Sequence, residues 1–254
     1  MSTTFARIAA ISTVAVAATL FCFFLPSMPL DGWFAVLVVR LTDSAVLTGV
    51  LWTVGILIVV VVGRSGLTPR RRIVEVAAVL ATLILVGAVV TLVNEHGIKP
   101  LFGSPRPNIV LLAESGALGP DYPDANMFYA LGGKDERREV LDSLMPEVAS
   151  PPLADSVRAH WAHETGYAFP SGHSTAAMTL ATTTIGLGLA WLVGWRRVAT
   201  VVIVPTWAVL IGFSRVLLQV HRPIDVVAGS LLGLGFGLLV FALFFRAVER
   251  FAPS

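Results

Sequence analysis

The stretch Tyr167-Ala-Phe-Pro-Ser-Gly-His173 decides how this chain is organised, because a long polar segment ends there and a hydrophobic run begins. Pro170 fixes the backbone just before the new helix, and Ser171 can cap that helix with its hydroxyl. The free N–H groups from Gly172 onward have the positive end of the helix dipole behind them, which makes an anion site. His173 adds a side chain that gives or takes a proton near neutral pH. Alone, Ser-Gly-His favours a plainer interpretation, a capped helix with an incidental histidine.

The composition excludes an ordinary soluble domain. Of the 254 residues, 56% are hydrophobic and only 13% are charged, and the mean hydropathy is +0.81. A soluble domain cannot bury that much apolar surface, so a polytopic membrane protein is predicted. The formal net charge of +2, without a basic tail, gives no indication of nucleic acid as a partner. A single cysteine, Cys22, excludes a disulfide framework and a cysteine-based metal cluster.

Long apolar runs predict an all-α fold, a bundle of six transmembrane helices. The first run exceeds the apolar core of a signal peptide and no A-x-A site follows it, so a span is predicted rather than a cleaved leader. Residues 31–43, which mix aromatic residues and an arginine with aliphatic ones, are expected to lie at the membrane interface. Glycines at 229, 233, 235 and 237 predict close helix packing by the last span. The predicted spans are residues 5–30, 44–63, 73–94, 172–193, 198–213 and 226–245.

A polar insert at residues 95–168 separates the third and fourth predicted spans and holds most of the acidic residues. Its glycines and prolines predict a loop-like first half, and short helices are predicted at residues 134–148 and 153–165. The insert is too short and too low in core residues for an independent domain. Residues 1–254 are therefore predicted to form one membrane domain, which the insert covers.

Arginines predict the orientation of the bundle. Under a six-span count they gather on one side of the membrane, at residues 7, 64, 70–72, 196–197, 246 and 250. The positive-inside rule makes that side cytoplasmic, together with both termini, and the insert then faces outward.

Three polar clusters lie at the outward ends of the predicted spans, where distant parts of the chain can converge. Charged groups at a membrane edge are costly unless they are paired or functional. Cations in one pocket repel each other unless an anion lies between them, and guanidinium groups bind phosphate oxygens bidentately. The clusters therefore predict a phosphate site. They are Lys99-Pro-Leu-Phe-Gly-Ser-Pro-Arg106-Pro107, Pro170-Ser-Gly-His173, and Ser214-Arg215 with His221 and Asp225.

The spacings Lys99-x6-Arg106-Pro107, Pro170-Ser-Gly-His173 and Ser214-Arg215-x5-His221-x3-Asp225 resemble the three motifs of the type-2 phosphatidic acid phosphatase superfamily, which also includes the vanadium haloperoxidases. The resemblance covers nearly the whole chain. It implies an integral membrane lipid phosphatase whose site faces the periplasm of a bacterial inner membrane. The implied substrates are phosphatidylglycerol phosphate, phosphatidic acid or undecaprenyl diphosphate. Neither a cofactor, a metal ion nor an obligate protein partner is expected.

The same resemblance implies a two-step phosphoryl transfer through a covalent phosphohistidine. His221 is expected to attack phosphorus, with Asp225 setting the tautomer of its ring. His173 is expected to protonate the leaving lipid alkoxide and then to activate water. The residues expected to hold the phosphate oxygens are Lys99, Arg106, Ser171, Gly172 and Arg215.

Residues beside the motifs keep two interpretations each. Glu164 and Tyr167 either line the entrance for the lipid headgroup or brace the insert. His160 and His163, three residues apart on a predicted helix, could bind a metal ion, but without a third ligand such a pair is more typical of the surface. Arg222 either belongs to the site or extends to the membrane interface.

Two functions compete with hydrolysis. A lipid phosphotransferase uses the same chemistry with an acceptor other than water. A transporter of a phosphorylated lipid or anion also carries charge within the membrane, but it does not need a His–Asp pair beside a second histidine. No repeated half with broken helices is visible, so an enzyme is the prediction.

Overall fold

The computed structural model describes residues 2–44 and 66–251, and all regular structure in these ranges is helical. Turns of 3-10 helix follow α1 (Leu20–Phe24) and α7 (Met145–Glu147), and a π-helical segment (Leu92–Ile98) follows α3. The helices are α1 (Ser2–Thr19), α2 (33–44), α3 (Pro69–Thr91), α4 (Lys99–Phe102), α5 (Pro107–Glu114), α6 (Ala125–Ala130), α7 (Lys134–Leu144), α8 (Asp155–His163), α9 (Gly172–Trp191), α10 (Gly194–Leu217) and α11 (Pro223–Phe251).

Helix α9 is the centre of the bundle, and α1, α3, α10 and α11 all pack against it. Its buried residues are mostly small or hydroxylated rather than large and aliphatic. Thr175, Thr179 and Thr183 each donate their hydroxyl to the carbonyl four residues earlier, at 2.9, 2.7 and 2.8 Å. Because those hydroxyls are satisfied within the helix, a polar sequence can occupy the centre of an apolar bundle.

Close contact between α9 and α11 depends on glycine. A Cβ atom at Gly229, Gly233 or Gly237 would lie only 2.4 to 2.5 Å from atoms of α9 or its cap. The predicted close packing is confirmed for these three residues, whose spacing of four keeps them on one helix face. It is wrong for Gly235, where a Cβ would meet nothing within 4 Å, because half a turn separates that residue from the glycine face.

Three described helices are long and apolar enough to cross a membrane, and they are candidate spans by length and composition. They correspond to the first, fifth and sixth predicted spans, and the last two begin earlier than predicted. The third and fourth predicted spans fall on α3 and α9 and stay predictions, while residues 45–63 of the second lie outside the described residues. The six-span count is therefore not confirmed. The candidate spans are Thr3–Phe24, Gly194–Leu217 and Pro223–Arg246.

The insert contains more helix than predicted. Its first half, expected to be loop-like, holds α5 and α6. Pro107 occupies the first turn of α5, where its missing N–H costs nothing. Asp124 caps α6, since its carboxylate accepts a hydrogen bond from the N–H of Met127 at 2.9 Å. Pro107 and Asp124 are both recognisable in the sequence as residues that start helices. They were outweighed by the neighbouring glycines and prolines, which favoured a loop.

The apolar core of the insert is shared with other parts of the chain. Buried residues of α5 to α8 pack with Val38 and Val39 of α2 and with Leu218 after α10. The indole N–H of Trp161, on α8, donates to the carbonyl of Leu218 at 2.9 Å. The insert is therefore held against the C-terminal end of α10, which carries part of the third motif.

Replacing Gly233 with alanine is expected to destabilise the bundle, by about 1–3 kcal/mol, because the new methyl group overpacks the interface with α9. Its Cβ would lie 2.5 Å from the carbonyl oxygen of Thr175, a backbone atom that cannot move aside cheaply. Gly235→Ala is the matched control on the same helix. Thermal unfolding in detergent should show a lower midpoint for Gly233→Ala and little change for the control. Equal midpoints would contradict the packing described here.

Candidate active site

Backbone hydrogen bonds join the three polar clusters. The N–H of Ala168, which leads into the second motif, donates to the carbonyl of Ser104 in the first motif at 2.8 Å. The N–H of Ser171 donates to the carbonyl of Asp225 in the third motif at 2.9 Å. The predicted convergence of the clusters is therefore present at the level of the main chain.

The start of α9 has the cap that the sequence predicts. The hydroxyl oxygen of Ser171 accepts a hydrogen bond from the N–H of Ser174 at 3.4 Å, and the Ser174 hydroxyl donates to it at 3.0 Å. A Cβ atom at Gly172 would lie 3.8 Å from the ammonium nitrogen of Lys99 and 3.9 Å from a carboxylate oxygen of Glu95. Lys99 therefore lies beside the N-terminus of α9, where backbone N–H groups favour an anion.

Lys99 is 3% exposed and forms an ion pair with Glu95, one helical turn earlier. Burial, followed by the charge of Arg106, lowers the pKa of Lys99 to about 8. The π-helical segment Leu92–Ile98 ends immediately before Lys99, and π-helical turns are frequent at functional sites. A buried ammonium of lowered pKa is one that an anionic ligand would stabilise.

Two buried arginines share one carboxylate. A guanidinium nitrogen of Arg106 lies 2.5 Å from one oxygen of Glu164, and Arg215 contacts the other oxygen. Arg106 also donates from Nε to the carbonyl of Gly166 at 2.8 Å. Although burial opposes ionisation, Arg106 and Arg215 hold the pKa of Glu164 well below its usual range. Glu164 is therefore a carboxylate, and it lies between the two guanidinium groups at the centre of the site.

Arg215 has two further partners that the sequence analysis missed or misplaced. Its Nη1 donates to the hydroxyl of Thr42 at 2.8 Å and faces Nε2 of His160 at 2.9 Å. A guanidinium group only donates, so His160 accepts through Nε2 and holds its proton on Nδ1, which lies 3.4 Å from Asp43. The interpretation of His160 as a surface residue is wrong, because its side chain is only 9% exposed. In the sequence, the four-residue spacing between His160 and Glu164 could have indicated that the two side chains lie on one helix face. No sequence pattern indicates a role for Thr42 or Asp43.

His163 is exposed, as the surface interpretation predicts. Its Nδ1 is 2.9 Å from the carbonyl of Ala159 on the same helix, and its Nε2 faces Arg138. Among the described residues no group of three His, Cys, Asp or Glu side chains is placed to hold a metal ion.

His221 lies between α10 and α11 and is 2% exposed. Within the described ranges neither of its ring nitrogens has a hydrogen-bond partner. Its Nδ1 is 3.6 Å from the carboxylate of Asp225, close but beyond a hydrogen bond. That carboxylate instead accepts the N–H of Arg222 at 2.8 Å. Burial, followed by the charges of Arg106 and Arg215, holds the pKa of His221 well below its usual range, so its imidazole is neutral.

His173 is the second residue of α9 and is half-buried. The ionised groups that act on it are those of the arginine pair and its shared carboxylate, Arg215, Glu164 and Arg106. The charges of Arg106 and Arg215 therefore act on both motif histidines, His221 just before α11 and His173 in the first turn of α9.

Tyr167 contacts the insert rather than the arginine pair. Its ring stacks on that of Tyr129, with centroids 5.0 Å apart, and the guanidinium carbon of Arg137 lies 5.3 Å from the Tyr167 centroid. The Tyr129 hydroxyl in turn donates to the carbonyl of Gly166 at 3.0 Å. These contacts brace the insert against the segment that carries the second motif.

Buried cations and two histidines at one end of a helical bundle are an arrangement suited to binding a phosphate group. The profile of the PAP2 superfamily matches residues 75–249. The chain belongs to this superfamily, the type-2 phosphatidic acid phosphatase group that its motifs resemble.

Individual relatives share part of their length with this chain. Phosphatidylglycerophosphatase B of Escherichia coli (strain K12) is 35% identical over 155 residues, which cover 61% of this chain and 55% of that protein. The protein of the same name from Haemophilus influenzae is 32% identical over 160 residues, or 62% of each chain. An undecaprenyl-diphosphatase of Sulfolobus acidocaldarius is 39% identical over 69 residues, 27% of this chain and 30% of that protein. The chain thus spans less than two thirds of the length of these relatives.

The variant Glu164→Gln is expected to destabilise the protein by about 3 kcal/mol at neutral pH, because it leaves two buried guanidinium groups without an anion. Since the folded-state pKa of Glu164 is depressed, its contribution is present above the unfolded pKa and is lost as pH falls through the folded one. The stability difference from wild type should be largest above about pH 5 and shrink below about pH 4. Thermal unfolding of both proteins across this pH range checks the size of the loss and its pH dependence. Equal stability at neutral pH would contradict the claim that Arg106 and Arg215 share the Glu164 carboxylate.

Proposed function

We propose that the protein is an integral membrane lipid phosphatase that removes a terminal phosphate through a phosphohistidine intermediate. The observation that carries the proposal is the state of His221. This imidazole is buried and neutral, and neither nitrogen has a partner among the described residues. Its lone pair is therefore available to attack, beside cations that attract a phosphate.

The phosphate oxygens would be held by cations and by the start of α9. Glu164 already occupies the position between Arg106 and Arg215 that an anion would take. An arriving phosphate dianion replaces part of that interaction and adds contacts to Lys99 and the N–H of Gly172. These groups spread the negative charge that the equatorial oxygens carry in the transition state.

In the first step a nitrogen of His221 forms a bond to phosphorus while the bond between phosphorus and the lipid oxygen breaks. Nδ1 is the nitrogen that faces Asp225, so a proton held there leaves the lone pair of Nε2 free to attack. The arriving phosphate dianion favours the protonated form of His173, which gives its proton to the departing lipid alkoxide. The products of this step are the lipid alcohol and a phosphohistidine at His221.

In the second step water attacks the phosphorus of the phosphohistidine, and the bond from phosphorus to His221 breaks. His173, which lost its proton in the first step, takes one from the attacking water. Inorganic phosphate leaves, and both histidines return to their starting states. The cations of the site neutralise charge throughout, so we propose that the reaction needs no metal ion.

For the substrate we propose phosphatidylglycerol phosphate and polyprenyl diphosphates, with phosphatidic acid as a further lipid phosphate. The relatives named phosphatidylglycerophosphatase B and undecaprenyl-diphosphatase support this set. Two apolar side chains within the first motif, Leu101 and Phe102, are 84% and 61% exposed and suit contact with acyl or prenyl chains.

We further propose that the protein lies in a bacterial inner membrane with its site facing the periplasm and both termini in the cytoplasm. Helix α10 supports this orientation, because Arg196 and Arg197 stand at its start and the site residue Arg215 stands at its other end. A cysteine at Ser115, in the insert, should react with an impermeant thiol reagent from outside intact cells, whereas one at exposed Trp195 should not. The reverse labelling would place the site in the cytoplasm.

The purified protein should release inorganic phosphate from at least one of the three lipid phosphates in the presence of excess EDTA. His221→Ala should abolish release while leaving thermal unfolding unchanged. Transfer of the phosphate to another alcohol instead of water would indicate a phosphotransferase. Absence of release from all three lipids by a folded wild type would reject the proposed function.

The variant His173→Ala is expected to lose activity according to the leaving group. General acid–base help is worth about 10²–10⁴-fold, and a lipid alkoxide needs that proton whereas p-nitrophenolate does not. The rate of phosphatidic acid hydrolysis should therefore fall by that factor, whereas the rate of the first step with p-nitrophenyl phosphate should fall much less. Burst kinetics separate the two steps. Equal losses of first-step rate with both substrates would reject His173 as the acid.

A further inference from the structure

Lys134 is a cation outside the three motifs that lies beside the phosphate site. It is the first residue of α7, in the insert, and its ammonium nitrogen is 3.9 Å from a carboxylate oxygen of Glu95. The other oxygen of Glu95 contacts the ammonium group of Lys99. One carboxylate therefore separates the buried lysine of the first motif from Lys134, whose side chain is 50% exposed.

The backbone at Lys134 is fixed against the second motif. The hydroxyl of Thr165 donates to the Lys134 carbonyl at 3.0 Å. A Cβ atom at Gly166 would lie 3.7 Å from Cε of Lys134 and 3.6 Å from Glu95. The side chain thus lies over the segment that leads to the start of α9, with a flexible four-carbon stem and an exposed ammonium group.

The ion pair between Lys134 and Glu95 is weak. An exposed ion pair at this distance contributes little, because water screens it and two long side chains must be ordered. The cations proposed to hold the phosphate that is transferred, Lys99, Arg106 and Arg215, are by contrast buried. Lys134 lies on the far side of the Glu95 carboxylate from Lys99. A second negative group on the same substrate could reach it there.

We infer that Lys134 forms an outer anion subsite for a second phosphate covalently linked to the one that is removed. That group is the phosphodiester in phosphatidylglycerol phosphate and the lipid-linked phosphate in a polyprenyl diphosphate. Phosphatidic acid has no such group. The inference rests on the proposed function and adds that the site discriminates in favour of substrates with two phosphates.

The test compares kcat/KM of wild type, Lys134→Gln and Lys134→Arg on phosphatidylglycerol phosphate, undecaprenyl diphosphate and phosphatidic acid in mixed micelles. Loss of one charge-assisted hydrogen bond should lower kcat/KM for the two-phosphate substrates about tenfold, mainly through KM. Phosphatidic acid should stay within about twofold of wild type, because only the exposed pair with Glu95 is lost. Lys134→Arg should restore the preference. A fall on one two-phosphate substrate alone assigns the subsite to that substrate.

Arg138→Gln is the matched control, since Arg138 is on the same helix, is 45% exposed and pairs with Asp142 at 3.6 Å. It removes the same charge and should leave all three substrates unchanged. An equal fall on all three lipids for Lys134→Gln would show that Lys134 only neutralises Glu95, and no fall on any would exclude it from binding; either result overturns the inference. If wild type hydrolyses none of the three lipids, the proposed function itself is rejected, which is a separate outcome.

Discussion

The site depends on one buried carboxylate, Glu164, between two buried guanidinium groups. Removing ions from water costs several kcal/mol each unless they are paired, so Arg106 and Arg215 cannot be gathered without an anion. The three residues come from the loop before α5, the end of α10 and the end of α8. Their pairing fixes the insert to the bundle and keeps the arginines together when no phosphate is bound. In the proposed reaction a phosphate would meet cations that are already in place.

Helix packing places the remaining groups around that centre. The glycine face of α11 lets its backbone approach α9 closely, and Gly229 lies nearest to the cap, since a Cβ there would be 2.4 Å from the carbonyl of Ser171. This approach allows the N–H of Ser171 to donate to the carbonyl of Asp225, which holds the start of α9 beside the start of α11. A tight interface between two helices is thus the reason why the second and third motifs lie together.

Features that depend on short-range patterns in the sequence could be predicted from it. The Ser171 cap and the glycine packing face follow from local spacing, and the convergence of the motifs follows from their positions at the ends of the predicted spans. What it missed depends on which face of a helix meets which neighbour. His160 was interpreted as a surface residue because the sequence shows no third ligand near it, yet α8 turns it toward Arg215, and Asp43 approaches it from a distant part of the chain. Gly235 is identical in type to Gly233, and only its half-turn offset places it on the open side.

The central claim is that His221 is the nucleophile. Its most direct test is to mix the protein with a lipid substrate that carries a radiolabelled terminal phosphate, quench within one turnover and map the label. The account predicts a label that is stable to alkali, labile to acid, located on the peptide that contains His221 and absent from His221→Ala. A label on His173 or on a serine, or continued hydrolysis by a folded His221→Ala protein, would contradict it.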